Sequence, residues 1–422
     1  MTANLFLLLA ILFWGSIGLI LFANVGYPLV IWLASRHRPD AASTVEAASR
    51  SLDMTEWPFL SIVIAAYKEE TWILSRLENA IGLDYPADRF EVLVGCDGKE
   101  DLTAELAEAF GDDRVRTIVF PERRGKASVL NDLVPLAQGE LLVFSDANTL
   151  FERSALRRLV RHFVMARATG AEAPVGGVVG RLVLVDPLTG TNVDSLYWKY
   201  ENFLKACEGR LGALLGANGG IYAVRKHLVA PLDPRTILDD FVIGMRVHQQ
   251  GHRLLYDATA LAYEETPATV KDEFRRRARI GAGGFQSLPA LAGLLWPHRG
   301  WLAFAFWSHK VLRWFGPLLM LVAVVTNGVL AIYDPLYRAL AVGHAALYAL
   351  ALVTPVLSLA RGWQKALRLP EMFLQMNLAL AVGFFRWLRG IRTGAWGVTP
   401  RLAVSPVTNL PARESVPEVV SN

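Results

Sequence analysis

The chain has 422 residues, of which 53% are hydrophobic, and its mean hydropathy of +0.31 is high for a soluble protein. With 43 Lys and Arg against 39 Asp and Glu, the net charge of +4 does not indicate a nucleic-acid-binding protein. Two cysteines, Cys96 and Cys207, are too few for a disulfide framework and have no metal-ligand spacing. We therefore expect no nucleic-acid partner, two reduced core thiols, and a soluble domain joined to a membrane part.

The first predicted element is an apolar segment near the N-terminus. Residues 5–34 carry no charge, and this run is longer than the roughly 20 residues that span a bilayer. A cleaved signal peptide is the alternative, but no basic segment precedes the run, which is also too long for one. Because Arg36 and Arg38 follow, the positive-inside rule puts the next domain in the cytosol. We expect a transmembrane helix within residues 1–35 and a linker at 36–57.

An α/β pattern occupies residues 58–288. Short apolar runs predict strands, and segments with helical spacing separate them. The predicted strands are 59–66, 90–96, 115–119, 140–145 and 175–185, and the predicted helices are 70–82, 126–137 and 153–168. This alternation is typical of a mostly parallel sheet with helices on both faces.

The composition becomes apolar again after the α/β domain. Residues 289–398 contain an interfacial segment and two predicted spans, 314–333 and 337–360. The segment 371–388 is basic at both ends, so it either crosses the membrane or lies in the interface. A transporter would need more spans and a central ionisable residue, which we do not expect here. The tail, 399–422, is predicted to be disordered.

Acidic residues stand at the ends of several predicted elements. Asp97 follows the second strand, Asp146 follows the fourth, and Asp240 precedes a later helix. Each position has a structural alternative: Asp97 can be a turn residue, Asp240 can cap its helix, and Asn148 or Thr149 can cap the helix after the fourth strand. Open α/β sheets bind ligands at the carboxyl ends of their strands. Because no acid is required there by folding, we favour a functional site.

The chemistry that unites these residues is metal-assisted transfer from a nucleoside diphosphate. Asp146 and Asn148, alternate residues at a strand end, can face one site and hold Mg²⁺ or Mn²⁺ through oxygen. A metal ion there neutralises a leaving diphosphate, while Asp240 can take the proton of an acceptor hydroxyl. Arg124 and Lys126 stand at the start of a predicted helix, where backbone N–H groups favour anions.

A second basic segment, FRRRARIGAGGFQ, covers residues 274–286. Its arginines can contact lipid headgroups. The glycines that follow instead predict a close approach to a ligand.

The pattern as a whole resembles the membrane-bound family 2 glycosyltransferases, which include cellulose, hyaluronan and poly-N-acetylglucosamine synthases and ceramide glucosyltransferase. That family has an Asp after the second strand, a DxD-like pair, a TED-like acid and a QxxRW motif. Asp97 matches the first acid. SDAN matches the pair, with Asn148 in place of its second Asp, and LDDF matches the third motif, with Asp240 as its last acid.

RARI occupies the position of the QxxRW motif. Arg276 stands where Gln is expected, Arg279 is kept, and Ile280 replaces Trp. These departures bear on polymerisation more than on sugar transfer itself. The resemblance covers roughly residues 58–290 and extends to the membrane layout.

The resemblance implies a GT-A (Rossmann-like) fold, a UDP-sugar donor, a divalent metal and inversion at the anomeric carbon. By position it assigns Tyr67, Glu69 and Asp97 to the nucleotide, Lys126 to the diphosphate, Asp146 and Asn148 to the metal, Asn218 and Gly219 to the acceptor, Arg276 and Arg279 to the leaving group, and Asp240 to catalysis.

We therefore expect a membrane-embedded inverting hexosyltransferase that extends a polysaccharide, with its catalytic domain in the cytosol of a bacterial type of cell. The alternatives are transfer of a single sugar to a lipid or polyprenyl-phosphate acceptor, and a catalytically inactive membrane scaffold. The expected partners are a UDP-sugar, the acceptor, membrane lipids, and a possible exporter of the product.

Overall fold

The computed structural model describes residues 1–49, 57–169, 174–185, 196–265, 270–354 and 361–395. The chain forms two compact units. An apolar unit combines Met1–Ala34 with Thr269–Ile391, and an α/β unit combines Ser35–Ala268 with Arg392–Asn422. The predicted disordered tail lies outside the described residues.

The α/β unit is built on an eight-stranded sheet in the order β3-β2-β1-β4-β7-β6-β8-β5. Its strands are β1 (Leu60–Ala66), β2 (Phe90–Asp97), β3 (Val115–Phe120), β4 (Leu141–Asp146), β5 (Leu150–Phe151), β6 (Val175–Val185), β7 (Tyr222–Arg225) and β8 (Arg253–Glu265). The half formed by β1 to β4 is parallel, as predicted. The other half is mixed, since β7 pairs antiparallel with both β4 and β6.

Helices cover both faces of this sheet. They are α3 (Ala41–Ser49), α4 (Ile73–Ile81), α5 (Thr103–Glu108), α6 (Lys126–Leu136), α7 (Ala155–Thr169), α8 (Leu196–Arg210) and α9 (Asp239–Gln249), with single 3₁₀ turns at Ala87–Arg89 and Lys226–Leu228. Ile62 and Ile64 of β1 face a core shared with α4, α5 and α7. Val63 faces a second core shared with α6 and α9. The strand is apolar apart from Ser61 because both of its faces are buried.

Both cysteines are buried and free, as the sequence indicated. Burial in the apolar core raises the pKa of Cys96 to about 12. That thiol therefore stays protonated and acts as a small core residue.

The apolar unit is entirely helical over its described residues. Its α-helices are α1 (Ala3–Leu21), α2 (Tyr27–Ser35, whose last residue belongs to the α/β unit), α10 (Val270–Leu291), α11 (Trp301–Ala305), α12 (Leu312–Trp314), α13 (Gly316–Leu330), α14 (Pro335–Val353) and α15 (Arg361–Leu388). Short π-helical segments lie at Phe22–Gly26 and Phe306–Val311, and 3₁₀ turns at Ala292–Leu295 and Pro297–Arg299.

Two stretches of the described chain are long and apolar enough to cross a membrane. They are Ala3–Ser35 and Pro335–Val353. Trp301–Trp314 and Gly316–Leu330 would form a third span if this pair, bent by 59°, counts as one. The segment 371–388 falls within α15, which does not meet the same criterion.

An ionisable side chain stands in the middle of α14, contrary to expectation. Phe13 of α1 packs against Leu330 of α13 and Tyr337 of α14. Near this core, His344 Nδ1 lies 3.2 Å from Nδ2 of Asn327, which is buried on α13. A polar pair of this kind joins two apolar helices.

The glycine-rich part of α10 packs closely against another helix, while its predicted approach to a ligand stays a prediction. A Cβ placed on Gly281 would lie 3.2 Å from Leu380 Cδ2 of α15. One placed on Gly383 of α15 would lie 2.7 Å from the carbonyl oxygen of Ala278. Small residues on both helices allow their backbones to pack closely.

Candidate active site

Three carboxylates and one ammonium group meet at the carboxyl end of β4. Asp146 ends that strand, Lys126 begins α6, and Asp239 and Asp240 begin α9. Lys126 Nζ lies 2.7 Å from Asp146 Oδ1 and 3.2 Å from Asp239 Oδ2. We call Asp146, Asp239 and Asp240 the acid cluster.

Burial and the neighbouring negative charges raise the pKa of one carboxylate in the acid cluster. Burial raises the pKa of Asp240 to about 6, and the negative charge of Asp239 adds to this rise, while Lys126 opposes it. Burial alone would lower the pKa of Lys126, but the three carboxylates raise it above its usual value. The ammonium therefore stays charged, and Asp240 can act as a base near neutral pH.

The helix-capping alternatives for these residues were wrong. The cap of α9 is Leu238, so Asp240 is the second helical residue, and its Oδ1 accepts the N–H of Phe241 at 2.7 Å. Since α7 begins only at Ala155, Asn148 does not cap it. Nor does Thr149.

Two close backbone approaches bring the loop before β7 to the acid cluster. A Cβ placed on Gly219 would lie 3.0 Å from Asp146 Oδ2, and one on Gly244 of α9 would lie 2.8 Å from the backbone nitrogen of Ala217. Only glycine permits such approaches without movement of the neighbouring atoms. Asn218 and Gly219, assigned by position to the acceptor, therefore lie beside the acids.

A lysine from α8 orients the amide of Asn218. Lys205 Nζ donates to Asn218 Oδ1 at 2.8 Å. Because lysine is only a donor, the amide nitrogen must point the other way. Asn218 Nδ2 is buried and has no hydrogen-bond partner among the described residues, so it can donate to a bound ligand. Nothing in the sequence pattern indicated Lys205.

Asp97 anchors the basic loop that leads into α6. It is 4% exposed, and its two oxygens accept the N–H groups of Arg124 at 2.7 Å and Gly125 at 2.8 Å. The turn interpretation is also correct, since Gly98 has a φ of +104°. A direct contact between Asp97 and the nucleotide stays a prediction.

The residues assigned to the nucleotide lie at the ends of β1 and β2. The Arg123 guanidinium lies 3.8 Å from the centre of the Tyr67 ring, and the Tyr67 hydroxyl donates to Glu100 at 2.8 Å. The backbone N–H of Glu69 donates to Thr103 Oγ1 at 2.8 Å. Sequence reasoning missed Arg123, although it stands next to Arg124 in the basic loop.

The oxygen ligands at the end of β4 fit a metal held jointly with a diphosphate. Asn148 is buried, and its Nδ2 donates to Glu264 Oε1 at 3.4 Å, which turns the amide oxygen away from that carboxylate. The described part of the chain contains no group of three or more His, Cys, Asp or Glu residues arranged to hold a metal. Mg²⁺ commonly takes only one or two protein carboxylates and completes its shell with phosphate and water.

Arg276 and Arg279 lie on α10, in the apolar unit. Arg276 Nε donates to Glu273 Oε2 at 2.9 Å. Glu273 also contacts Arg277 at 2.7 Å. The assignment of Arg276 and Arg279 to the leaving group stays a prediction.

Comparison with solved structures defines the class of fold. The mannosyltransferase PcManGT from Pyrobaculum calidifontis, solved in complex with GDP-Man and Mn²⁺, matches with a TM-score of 0.61 at 22% identity. The match covers 89% of this chain and 99% of that one. Together with the mixed, helix-covered sheet, it confirms the Rossmann-like GT-A fold.

The family follows from the sequence comparisons. The model described as "Glycosyltransferase like family 2" matches residues 58–283, more than half of the chain. The protein therefore belongs to glycosyltransferase family 2, which confirms the resemblance noted in its motifs.

Two curated relatives illustrate the membership. The probable glycosyltransferase YdaM of Bacillus subtilis (strain 168) is 25% identical over 250 residues, which is 55% of this chain and 56% of that protein. The poly-beta-1,6-N-acetyl-D-glucosamine synthase of Staphylococcus aureus (strain COL) is 24% identical over 243 residues, or 56% and 57%. The chain thus spans a little over half the length of these relatives.

Proposed function

We propose that this enzyme is a membrane-embedded inverting glycosyltransferase that transfers a sugar from a UDP-sugar to a growing polysaccharide. The observation that carries the proposal is the acid cluster, in which Asp240 has a raised pKa beside Lys126 and the basic loop. A base, a cation and carboxylate or amide oxygens near one strand end are groups that metal-assisted sugar transfer can use.

The donor would bind along the ends of β1 and β2. Tyr67, Glu69 and Asp97 are its proposed nucleotide contacts, and Lys126 is its proposed diphosphate contact. Lys126 Nζ forms an ion pair with Asp146 Oδ1 at 2.7 Å. A metal ion held by Asp146 would compete with this ammonium, and Lys126 would then pair with the diphosphate of the donor.

Asp146 and Asn148 would hold Mg²⁺ or Mn²⁺. The metal would neutralise charge on the leaving diphosphate. The Mn²⁺ in the solved mannosyltransferase of the same fold supports this cofactor class.

Asp240 would act as the catalytic base. An acceptor hydroxyl beside Asn218 and Gly219 gives its proton to the carboxylate of Asp240, and the oxygen attacks the anomeric carbon of the donor sugar. The bond between that carbon and the diphosphate oxygen breaks, and its electron pair leaves with the diphosphate. Attack opposite the leaving group inverts the anomeric centre.

We also propose a location in the membrane and a polysaccharide product for this enzyme. The candidate spans Ala3–Ser35 and Pro335–Val353 support a protein of the inner or plasma membrane, with the α/β unit in the cytosol. The relative named as a poly-beta-1,6-N-acetyl-D-glucosamine synthase supports a polysaccharide product. Arg276 and Ile280, which depart from QxxRW, favour the alternative of a single sugar added to a lipid or polyprenyl-phosphate acceptor.

The test is turnover by the full-length protein in nanodiscs with Mn²⁺ or Mg²⁺ and a panel of UDP- and GDP-sugars. Wild type is compared with Asp240→Asn, and with Asp233→Asn as a control, since Asp233 is half-exposed and pairs with Arg235. Nucleotide release that is lost only in Asp240→Asn supports the proposal.

The product mass distinguishes the alternatives. A ladder of masses identifies a polysaccharide synthase, and one added sugar identifies transfer to a lipid. Nucleotide binding without release from any donor would contradict the proposal and favour an inactive scaffold.

A further inference from the structure

Tyr222 lies on the same face of the sheet as Asp146, the acid at the end of β4. Its ring stacks on Phe144 of the neighbouring strand β4, with centroids 4.9 Å apart and an interplanar angle of 16°. Phe144 stands two residues before Asp146, so both side chains point to the same face of the sheet. The core on this face also contains the first turns of α9, the helix that begins with Asp239. Tyr222 is thus enclosed between the end of β4 and the start of α9.

The Tyr222 hydroxyl is buried without a partner. The residue is 1% exposed, and its hydroxyl oxygen has no hydrogen-bond partner among the described residues. A buried polar group in this state lowers stability, and phenylalanine would fill the same space without that cost. Stacking on Phe144 therefore does not explain the hydroxyl.

The charges of the acid cluster act on this hydroxyl. Burial raises the pKa of Tyr222 well above its usual value, and the negative charges of Asp239, Asp240 and Asp146 raise it further. The hydroxyl therefore stays protonated and can donate a hydrogen bond to a carboxylate that comes within reach.

The Asp239 carboxylate forms an ion pair with Lys126. Asp239 is 7% exposed, and within the described part of the chain its Oδ2 has no partner apart from Lys126, with which it forms an ion pair at 3.2 Å. If Lys126 moves to the donor's diphosphate, Asp239 is left as a buried carboxylate next to Asp240. A buried charge without a partner is unfavourable and takes up a proton or moves.

We propose that Tyr222 is a positioning residue whose hydroxyl donates to Asp239 Oδ2 when Lys126 leaves the acid cluster for the donor. This role rests on the proposed function, because it requires the diphosphate that draws Lys126 away. With Asp239 held in place as an anion, Asp240 remains the group that receives the acceptor's proton. Tyr222 then acts on catalysis through Asp239 and touches neither substrate.

The test is Tyr222→Phe, which removes only the hydroxyl. We expect kcat to fall about 10- to 100-fold, the range for loss of one hydrogen bond to a charged group, and the donor KM to change by less than about threefold. The unfolding temperature should not fall, because the hydroxyl has no partner in the resting protein. Tyr256→Phe, a buried tyrosine of the same core, is the control and should keep its kcat.

A double-mutant cycle tests the route through Asp239. On an Asp239→Asn background, Tyr222→Phe should lower kcat no further, because the two changes remove one interaction. An unchanged kcat in Tyr222→Phe overturns the role, as does an equal loss in Tyr256→Phe or full additivity with Asp239→Asn. A wild-type protein without turnover on any donor would refute the proposed function and, with it, this role.

Discussion

Replacing Asp97 by asparagine should loosen the basic loop that leads into α6. The buried carboxylate accepts the N–H groups of Arg124 and Gly125 at 2.7 and 2.8 Å. Asparagine keeps one of these oxygens, and its amide nitrogen would face the other N–H, donor against donor. A hydrogen bond to a charged group contributes about 1.5–3 kcal/mol. We therefore expect the free energy of unfolding to fall by about 2 kcal/mol.

The assay is thermal unfolding of the full-length protein in detergent, together with the donor KM. For a domain of this size, about 2 kcal/mol corresponds to a decrease in Tm of about 4–8 °C. The donor KM should rise, because Arg124 lies on the loop that loses its anchor and Lys126 begins the helix that directly follows it.

The matched control is Asp112→Asn. Asp112 pairs with Arg114 at the other end of β3 and is partly exposed, with 23% of its side chain accessible. A pair of this kind contributes roughly 0–1 kcal/mol. A Tm decrease in Asp97→Asn no larger than in the control would refute the anchoring role.

Three further predictions concern the site, its pH dependence and the apolar unit. Gly125→Ala should lower turnover more than Gly212→Ala. Both glycines have positive φ, +90° and +68°, but only the Cβ added at 125 would contact another part of the chain, at 3.1 Å from the backbone nitrogen of Ala395. Equal losses in turnover would exclude that contact as the cause. Turnover should rise with pH around 6, because Asp240 must be ionised to act as the base. Because the pKa of Asp240 is higher in the folded protein than in the unfolded chain, ionisation of this carboxyl lowers the stability of the fold. Asp240→Asn should therefore have a higher Tm than wild type at pH 7.5 but not at pH 4. The same difference in Tm at both pH values would contradict this. Gly281→Leu should lower the Tm in detergent, because the added Cβ would lie 3.2 Å from a side chain of α15. Gly328→Leu should not lower it, because no atom lies within 4 Å of the added Cβ. Similar Tm values for the two variants would show that α10 and α15 are not closely packed at Gly281.

Much of the α/β unit could be predicted from local patterns. The apolar runs at β1, β2 and β4 are buried on both faces, so every residue of each strand reports the same environment. The carboxyl ends of parallel strands meet at one edge, which is why Asp97 and Asp146 could be assigned to a site before the sheet was known. Asp240 was singled out because it precedes a helix, and the LDDF motif then supported its assignment as the base.

The antiparallel half of the sheet could not be predicted. β7 has only four residues, Tyr222–Arg225, too few for a period to emerge, yet it lies between β4 and β6. It pairs with a strand about 80 positions earlier in the chain, and side-chain periodicity carries no information about which strands pair.

The tertiary structure also decided what several side chains do. Lys205 orients the amide of Asn218, the Tyr222 ring stacks on Phe144, and Gly281 packs against α15. Periodicity and motif spacing could predict a site at the end of β4 because those signals are local. They could not reveal these contacts, since each joins groups whose separation along the chain has no fixed relation to their distance in space.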